Sequence, residues 1–154
     1  MSQFKLKKFS LVLASSSPRR RKLLSDLHTP FKIISSSISE NRKRGESPSR
    51  LVRRLALQKA QFIAKRLRSK PSLVIGADTI VVFKGRVFGK PKSHRDAVEM
   101  LMKLSGKTHR VYTGIAVVNS STLESVSAVD VSKVQFRQIT FHEAFRIGQK
   151  HLDK

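Results

Sequence analysis

A serine run opening onto three arginines, Ser15-Ser16-Ser17-Pro18-Arg19-Arg20-Arg21, offers the chemistry of an anion site. At a helix start, unpaired backbone N–H groups and neighbouring hydroxyls face one space, a geometry that binds phosphate. Three arginines in a first turn oppose the helix dipole, which favours negative charge there by about 0.3–1 kcal/mol per group, so local physics asks for an anion to neutralise them. The other reading lets them splay into water. Arg21 suits that reading, and for Arg19 and Arg20 the two are close.

Asp78 is one of only ten acids and is placed at the end of an apolar strand, where an unpaired carboxylate is costly to bury. It needs a cation, a donor or solvent. The carboxyl end of a strand is where ligands sit in α/β sheets, so a metal-ligand or general-base role is one reading, and a hydrogen-bonded bend near Thr79 is the other. Helical spacing sets Lys59 among Val52, Leu55, Ala56 and Ile63, on the inward face. There it wants an anion, unless it snorkels along the helix as isolated lysines commonly do. Gly89-Lys90-Pro91 puts another lysine on a rigid turn within reach of a phosphate, a weak signal taken singly. Glu40, in a loop with Arg42, Lys43 and Arg44, either pairs with them or completes a metal site with Asp78.

Other chemistries find no footing. The five histidines lack metal-ligand spacing, no Ser, His and Asp arrangement can be argued, and His109 near a strand start reads as a hydrogen-bonding structural residue. With no Cys, thiol catalysis, disulfides and thiolate metal sites are excluded, which fits a reducing compartment. Lys5, Lys7 and Lys8 before the apolar residues 9–14 mimic a signal peptide, but that stretch is short and meets Pro18 and the arginines. No segment approaches membrane-spanning length, so a soluble cytoplasmic protein without a membrane partner is expected.

These residues need elements to hold them. Residues 11–14 read as a short buried strand, Ser17-Pro18 as a helix start, and Leu23, Leu24 and Leu27 as its inward stripe. Residues 31–35 read as a second strand, and Ser47-Pro48 opens a longer helix to about Leu67. Residues 73–83 turn through Lys84-Gly85 into residues 86–88 as a hairpin. Ser93 with Asp96 resembles a capping box, Ala97, Val98, Leu101 and Leu104 give helical spacing, and Gly106 stands at the helix end. Strands over residues 111–118 and 126–136 follow, then a helix from Thr140 and Glu143 that Gly148 should end. Strand and helix alternate, so the class is α/β with a mixed sheet.

The chain has 154 residues, the size of one domain, with 39% hydrophobic residues, enough for a core. Its 32 Lys plus Arg against 10 Asp plus Glu give a net charge of +22, so nucleotide phosphate, nucleic acid and acidic lipid all qualify as anions met in use. A lineage that drifts basic everywhere gives the same number. Scattered Phe and Tyr112 read as core, without the exposed interleaving that base stacking needs.

Taken in order, Leu13-Ala14-Ser15-Ser16-Ser17-Pro18-Arg19-Arg20, Glu40, Gln58-Lys59-Ala60, Gly76-Ala77-Asp78-Thr79, Gly89-Lys90-Pro91 and Leu104-Ser105-Gly106-Lys107-Thr108-His109 resemble the Maf-like nucleoside-triphosphate pyrophosphatases. The resemblance implies a mixed sheet flanked by helices, like that of the inosine triphosphatases, with a cleft between two lobes. It implies hydrolysis of nucleoside triphosphates to the monophosphate and pyrophosphate. Ser15, Arg19, Arg20, Lys59 and Lys90 would hold the triphosphate, Glu40 and Asp78 would bind Mg²⁺ or Mn²⁺, and Asp78 would activate water. Arg19 and the Gly-Ala-Asp-Thr form resemble the branch acting on dTTP and UTP rather than on methylated guanosine triphosphate. A homodimer is a candidate assembly. Near residues 151–154 family members continue into a Gly-rich loop, a Gln contacting the base, further strands and a final helix. Residues 1–154 are therefore expected to form a single Maf-like domain lacking that C-terminal part. The alternative is an inactive homologue that acts as a basic nucleotide- or nucleic-acid-binding module.

Overall fold

The structure, a computed structural model, describes residues 9–152, with side chains through Gln149; Lys5, Lys7, Lys8, Asp153 and Lys154 lie outside the described residues. In chain order the elements are β1 (Ser10–Leu13), α1 (Pro18–Ser25), β2 (Phe31–Ile33), α2 (Pro48–Ala64), a 3₁₀ turn (Lys65–Leu67), β3 (Ser72–Phe83), β4 (Arg86–Phe88), α3 (His94–Leu104), β5 (Thr108–Asn119), β6 (Ser125–Gln135) and α4 (Phe141–Leu152). The strands form one sheet in the order β2-β1-β3-β5-β6, with β4 paired to β3. β1 runs parallel to both β2 and β3, and β4 runs antiparallel to β3. The sheet is mixed, and its parallel pairs are joined through helices, as parallel geometry requires. No described helix is long and apolar enough to cross a membrane.

The chain divides into two compact units. One holds the residues up to Thr79 with Thr113–Asp130, and the other holds Ile80–Tyr112 with the residues from Val131 onward. In the first, Val12, Ala14, Ala60, Ile63, Ala64, Val74 and Val118 form the core. α2 buries Leu51, Val52, Leu55, Ala56, Lys59, Ala60, Ile63 and Ala64, the spacing of one helical face.

Two glycines decide how closely α2 lies on the sheet. A methyl group at Gly76 in β3 would collide with the Ala56 carbonyl oxygen and stand 2.8 Å from the Ala60 nitrogen. At Gly114 in β5 it would collide with the Val52 carbonyl. The helix backbone therefore rests directly on strand backbone, and small residues Ala56 and Ala60 complete the seat.

α1 departs from expectation. Leu24 is buried, but Leu23 is 69% and Leu27 64% exposed. The helix is only eight residues long and ends at Ser25, so Leu27 lies beyond it in the turn before His28, and Leu23 points about 100° away from Leu24.

In the second unit, Lys84 and Gly85 both adopt positive φ (47° and 74°), the two-residue turn that suits a twisted hairpin. The Ser93 side chain accepts from the Asp96 N–H at 3.1 Å, and an Asp96 carboxylate oxygen accepts from the Lys92 N–H at 2.9 Å, opening α3. Gly148 does not end α4, which continues to Leu152. Its role is close approach: a methyl group there would stand 3.2 Å from the His94 ring and 3.3 Å from Val98 of α3. The His94 Nε2–H donates to the Phe145 carbonyl at 2.9 Å across the same contact.

Gly76→Ala should destabilise the protein by about 1–3 kcal/mol or more, the range for overpacking, because backbone rather than a flexible side chain must yield. A lowered urea midpoint is the expected reading, and an unchanged midpoint would contradict the close seating of α2.

Candidate active site

β1 stops at Leu13, and the Ala14 N–H still donates to the Ile75 carbonyl at 2.8 Å before the chain leaves the sheet for α1. Ser15 follows, buried, and its hydroxyl oxygen accepts from the Ser17 N–H and from Arg20 Nη1, both at 3.2 Å. Ser17 occupies the N-cap position, yet its side chain makes no capping bond, so Ser15 does the local organising. Arg20 extends further: its Nη2 donates to Thr79 Oγ1 at 3.4 Å, and Thr79 Oγ1 lies 3.3 Å from Thr113 Oγ1 on the neighbouring strand. Burial pushes the Arg20 guanidinium below its ordinary value, Asp78 opposes this, Arg19 adds to it, and Glu40 opposes it. Arg19 and Arg21 are exposed.

Asp78 does not end its strand, because β3 continues to Phe83. The register pairs Leu13 with Ile75, so β3 runs on past the end of its parallel neighbour, and Asp78 sits beside the space into which β1 releases Ser15. The carboxyl end that matters is that of β1. Along β3, Ser72, Val74, Gly76 and Asp78 share one face, the face Gly76 presents to α2. Lys59 descends from that helix, and its Nζ donates to Asp78 Oδ1 at 2.6 Å and pairs with Glu40 Oε1 at 2.8 Å. Lys59 is 7% and Asp78 6% exposed. The Glu40 side chain is 43% exposed, so the group opens to solvent on the loop side.

Glu40 owes its position to a second ion pair. Arg54 of α2 grips the Glu46 carboxylate with both prongs, at 2.6 and 2.7 Å, and donates to the Asn41 carbonyl at 3.0 Å. Arg42 donates to the Glu46 carbonyl at 3.0 and 2.7 Å. The Arg42 guanidinium and the Lys43 N–H thus serve Glu46, and Glu40 reaches Lys59. Sequence reasoning missed Glu46, Arg54 and Thr113; the available signal was an acid directly before the Ser47-Pro48 helix start, in reach of an arginine two turns on.

Ser15, Arg20, Glu40, Lys59 and Asp78 therefore belong to one compact unit, with Arg19 at the start of α1 in that same unit. Lys90, exposed in the connection between β4 and α3, belongs to the other. His109 is also in that second unit, buried edge-on against Phe136 at 4.7 Å. Its Nδ1 has no hydrogen-bond partner among the described residues, contrary to the hydrogen-bonding role expected, and burial lowers its pKa.

Two carboxylates from separate segments converging on one ammonium suit a hard divalent cation. Mg²⁺ is held by one or two carboxylates and completes its shell with water and phosphate oxygens. No group of three or more His, Cys, Asp or Glu with metal-holding geometry exists among the described residues. The donor set fits a cation that shares its shell with a ligand.

The profile of the Maf-like protein family matches residues 10–150. The chain belongs to the Maf-like family. A dTTP/UTP pyrophosphatase of Acetivibrio thermocellus is 42% identical over 135 residues, covering 84% of this chain and 67% of that protein. The dTTP/UTP pyrophosphatase of Bacillus cereus strain AH820 is 42% identical over 146 residues, covering 94% of this chain and 74% of that protein. Among solved structures, a HAM1 protein from Coxiella burnetii aligns with a TM-score of 0.49 at 18% identity, over 82% of this chain and 72% of that one. Among the residues that this Maf-like chain groups around Lys59, Glu40 is the most open to solvent.

The Arg54 fork holds the Glu46 carboxyl at about 2, below its ordinary 4.5, so its stabilising contribution is complete above pH 4.5 and is lost as pH falls through about 2. Urea midpoints of wild type and Glu46→Gln should differ at pH 7 and converge toward pH 2. A gap that stays constant with pH would show that this pair is not the source.

Proposed function

We propose that this chain hydrolyses dTTP or UTP to the monophosphate and pyrophosphate at the site around Lys59. The observation that carries the reading is the buried ammonium held between Asp78 and Glu40, in the same unit as the Ser15–Arg20 anion site. The 42% identity to dTTP/UTP pyrophosphatases over most of the chain supports the choice of nucleotide.

In this reading Arg19, Arg20 and Lys59, all in the first unit, neutralise the triphosphate. Ser15 and the free N–H groups at the start of α1 receive phosphate oxygens. Asp78 and Glu40 would hold Mg²⁺ or Mn²⁺, which when bound supplies charge neutralisation and polarises the phosphate oxygens. Asp78 takes the proton of a water that attacks the α-phosphorus in line, a P–O bond to that water forms, and the α–β anhydride bond breaks. Pyrophosphate leaves with the electron pair. Ser15 and the Thr79–Thr113 pair fix Arg20, which limits the motion of a group that must meet developing charge.

Asp78→Asn keeps the size of the side chain and an oxygen for Lys59 to bond, so the fold should survive. Removing a general base costs at least about 100-fold, so pyrophosphate release from dTTP or UTP should fall by that factor or more while circular dichroism is preserved. Release at the wild-type rate would remove Asp78 from the mechanism. Wild-type protein that binds RNA with a steep salt dependence and releases no pyrophosphate from any triphosphate would instead identify a basic binding module.

A further inference from the structure

Lys59 stands where a divalent cation would also have to stand. Its Nζ lies 2.6 Å from Asp78 Oδ1 and 2.8 Å from Glu40 Oε1, so the two carboxylates already share one positive charge. A cation approaching them must either displace the ammonium or sit beside it, and Arg20, half-buried and close enough to feel Asp78, adds to the repulsion. Displacement is resisted because Lys59 emerges from the buried face of α2, between Leu55, Ala56, Ala60 and Ile63. An ammonium in that place needs another anion once the carboxylates are taken. A free metal ion brings none. A polyphosphate brings several negative oxygens.

We infer that Lys59 is a built-in counter-ion that keeps free divalent cations off Glu40 and Asp78 and yields only to a cation arriving together with a polyphosphate, whose oxygens then take over the ammonium. This rests on the assignment of Glu40 and Asp78 as metal ligands in the proposed function. It makes cation and polyphosphate mutually dependent ligands, and the dependence is reciprocal by thermodynamic necessity.

Mn²⁺ binding to the whole chain, followed by electron paramagnetic resonance without nucleotide, tests this directly. Lys59→Met retains the length and apolar stem of the side chain and should bind Mn²⁺ about tenfold more tightly than wild type, a typical size for such coupling. Adding Asp78→Asn to Lys59→Met should abolish the gain. Arg21→Met, which removes an exposed charge from the same unit, should change affinity by no more than about fivefold. A second measurement needs no stable Lys59→Met protein: the Lys59 side-chain ¹³Cε resonance of wild type, assigned with Lys59→Arg, should hold its position on titration with Mg²⁺ alone. It should move when Mg²⁺ and inorganic tripolyphosphate are added together. No gain of Mn²⁺ affinity in a folded Lys59→Met, or movement of the resonance with Mg²⁺ alone, overturns the inference. A gain that survives Asp78→Asn places the cation elsewhere and overturns the metal assignment as well. Absence of pyrophosphate release by wild type, with the Mn²⁺ results as expected, defeats the hydrolytic reading and leaves the counter-ion role standing.

Discussion

An ammonium enclosed by a helix and a sheet cannot persist without a counter-charge, and much of the first unit follows from supplying one to Lys59. The desolvation of a buried ion is repaid only when its partner is held at good geometry, so both carboxylates must arrive at fixed places. Asp78 arrives because β3 outruns β1 and its side chains alternate, placing position 78 on the face that Gly76 gives to α2. Glu40 arrives because the following loop is fastened to α2 through Glu46 and Arg54. The same helix thus carries the cation and anchors the segment that delivers one of its acids.

The Ser15–Arg20 half of the site is built differently. Arg20 is held by neutral hydroxyls, Ser15 on one side and Thr79 on the other, which accept its hydrogen bonds without cancelling its charge. Carboxylates in those positions would have spent the guanidinium on internal pairing. The chain therefore separates cations whose hydrogen-bond partners are carboxylates, as those of Lys59 and Arg54 are, from one whose hydrogen-bond partners carry no charge. A formal charge of +22 says nothing of this distinction, which lies in the identity of each partner.

The sequence made some of this legible and hid the rest for identifiable reasons. Lys59 could be placed because Val52, Leu55, Ala56 and Ile63 fix the phase of a long helix, and long periodic segments report burial well. Asp78 stood out because a carboxylate inside a β-branched run needs a reason, although it lies within the strand that runs on to Phe83 and not at its end. Glu40 could not be placed, since loop residues 36–46 have no period and several basic neighbours were equally good partners. Leu23 and Leu27 misled because a stripe drawn on a helix of two turns has little to fix its phase. Gly148 misled because glycine stops a helix or lets another helix approach, and only the His94 and Val98 contacts distinguish these.

Main chain pressed against main chain at Gly76 and Gly114 leaves no compressible layer between α2 and the strands beneath it. Side chains elsewhere in the core can be exchanged only at a cost in stability, because a close-packed interior feels a change of even one methylene. The separation between the origins of Lys59 and Asp78 is thus set by hard atoms with no rotamers to relax. Drift in the surrounding sequence will register first as altered melting and much later as altered spacing of the charged groups.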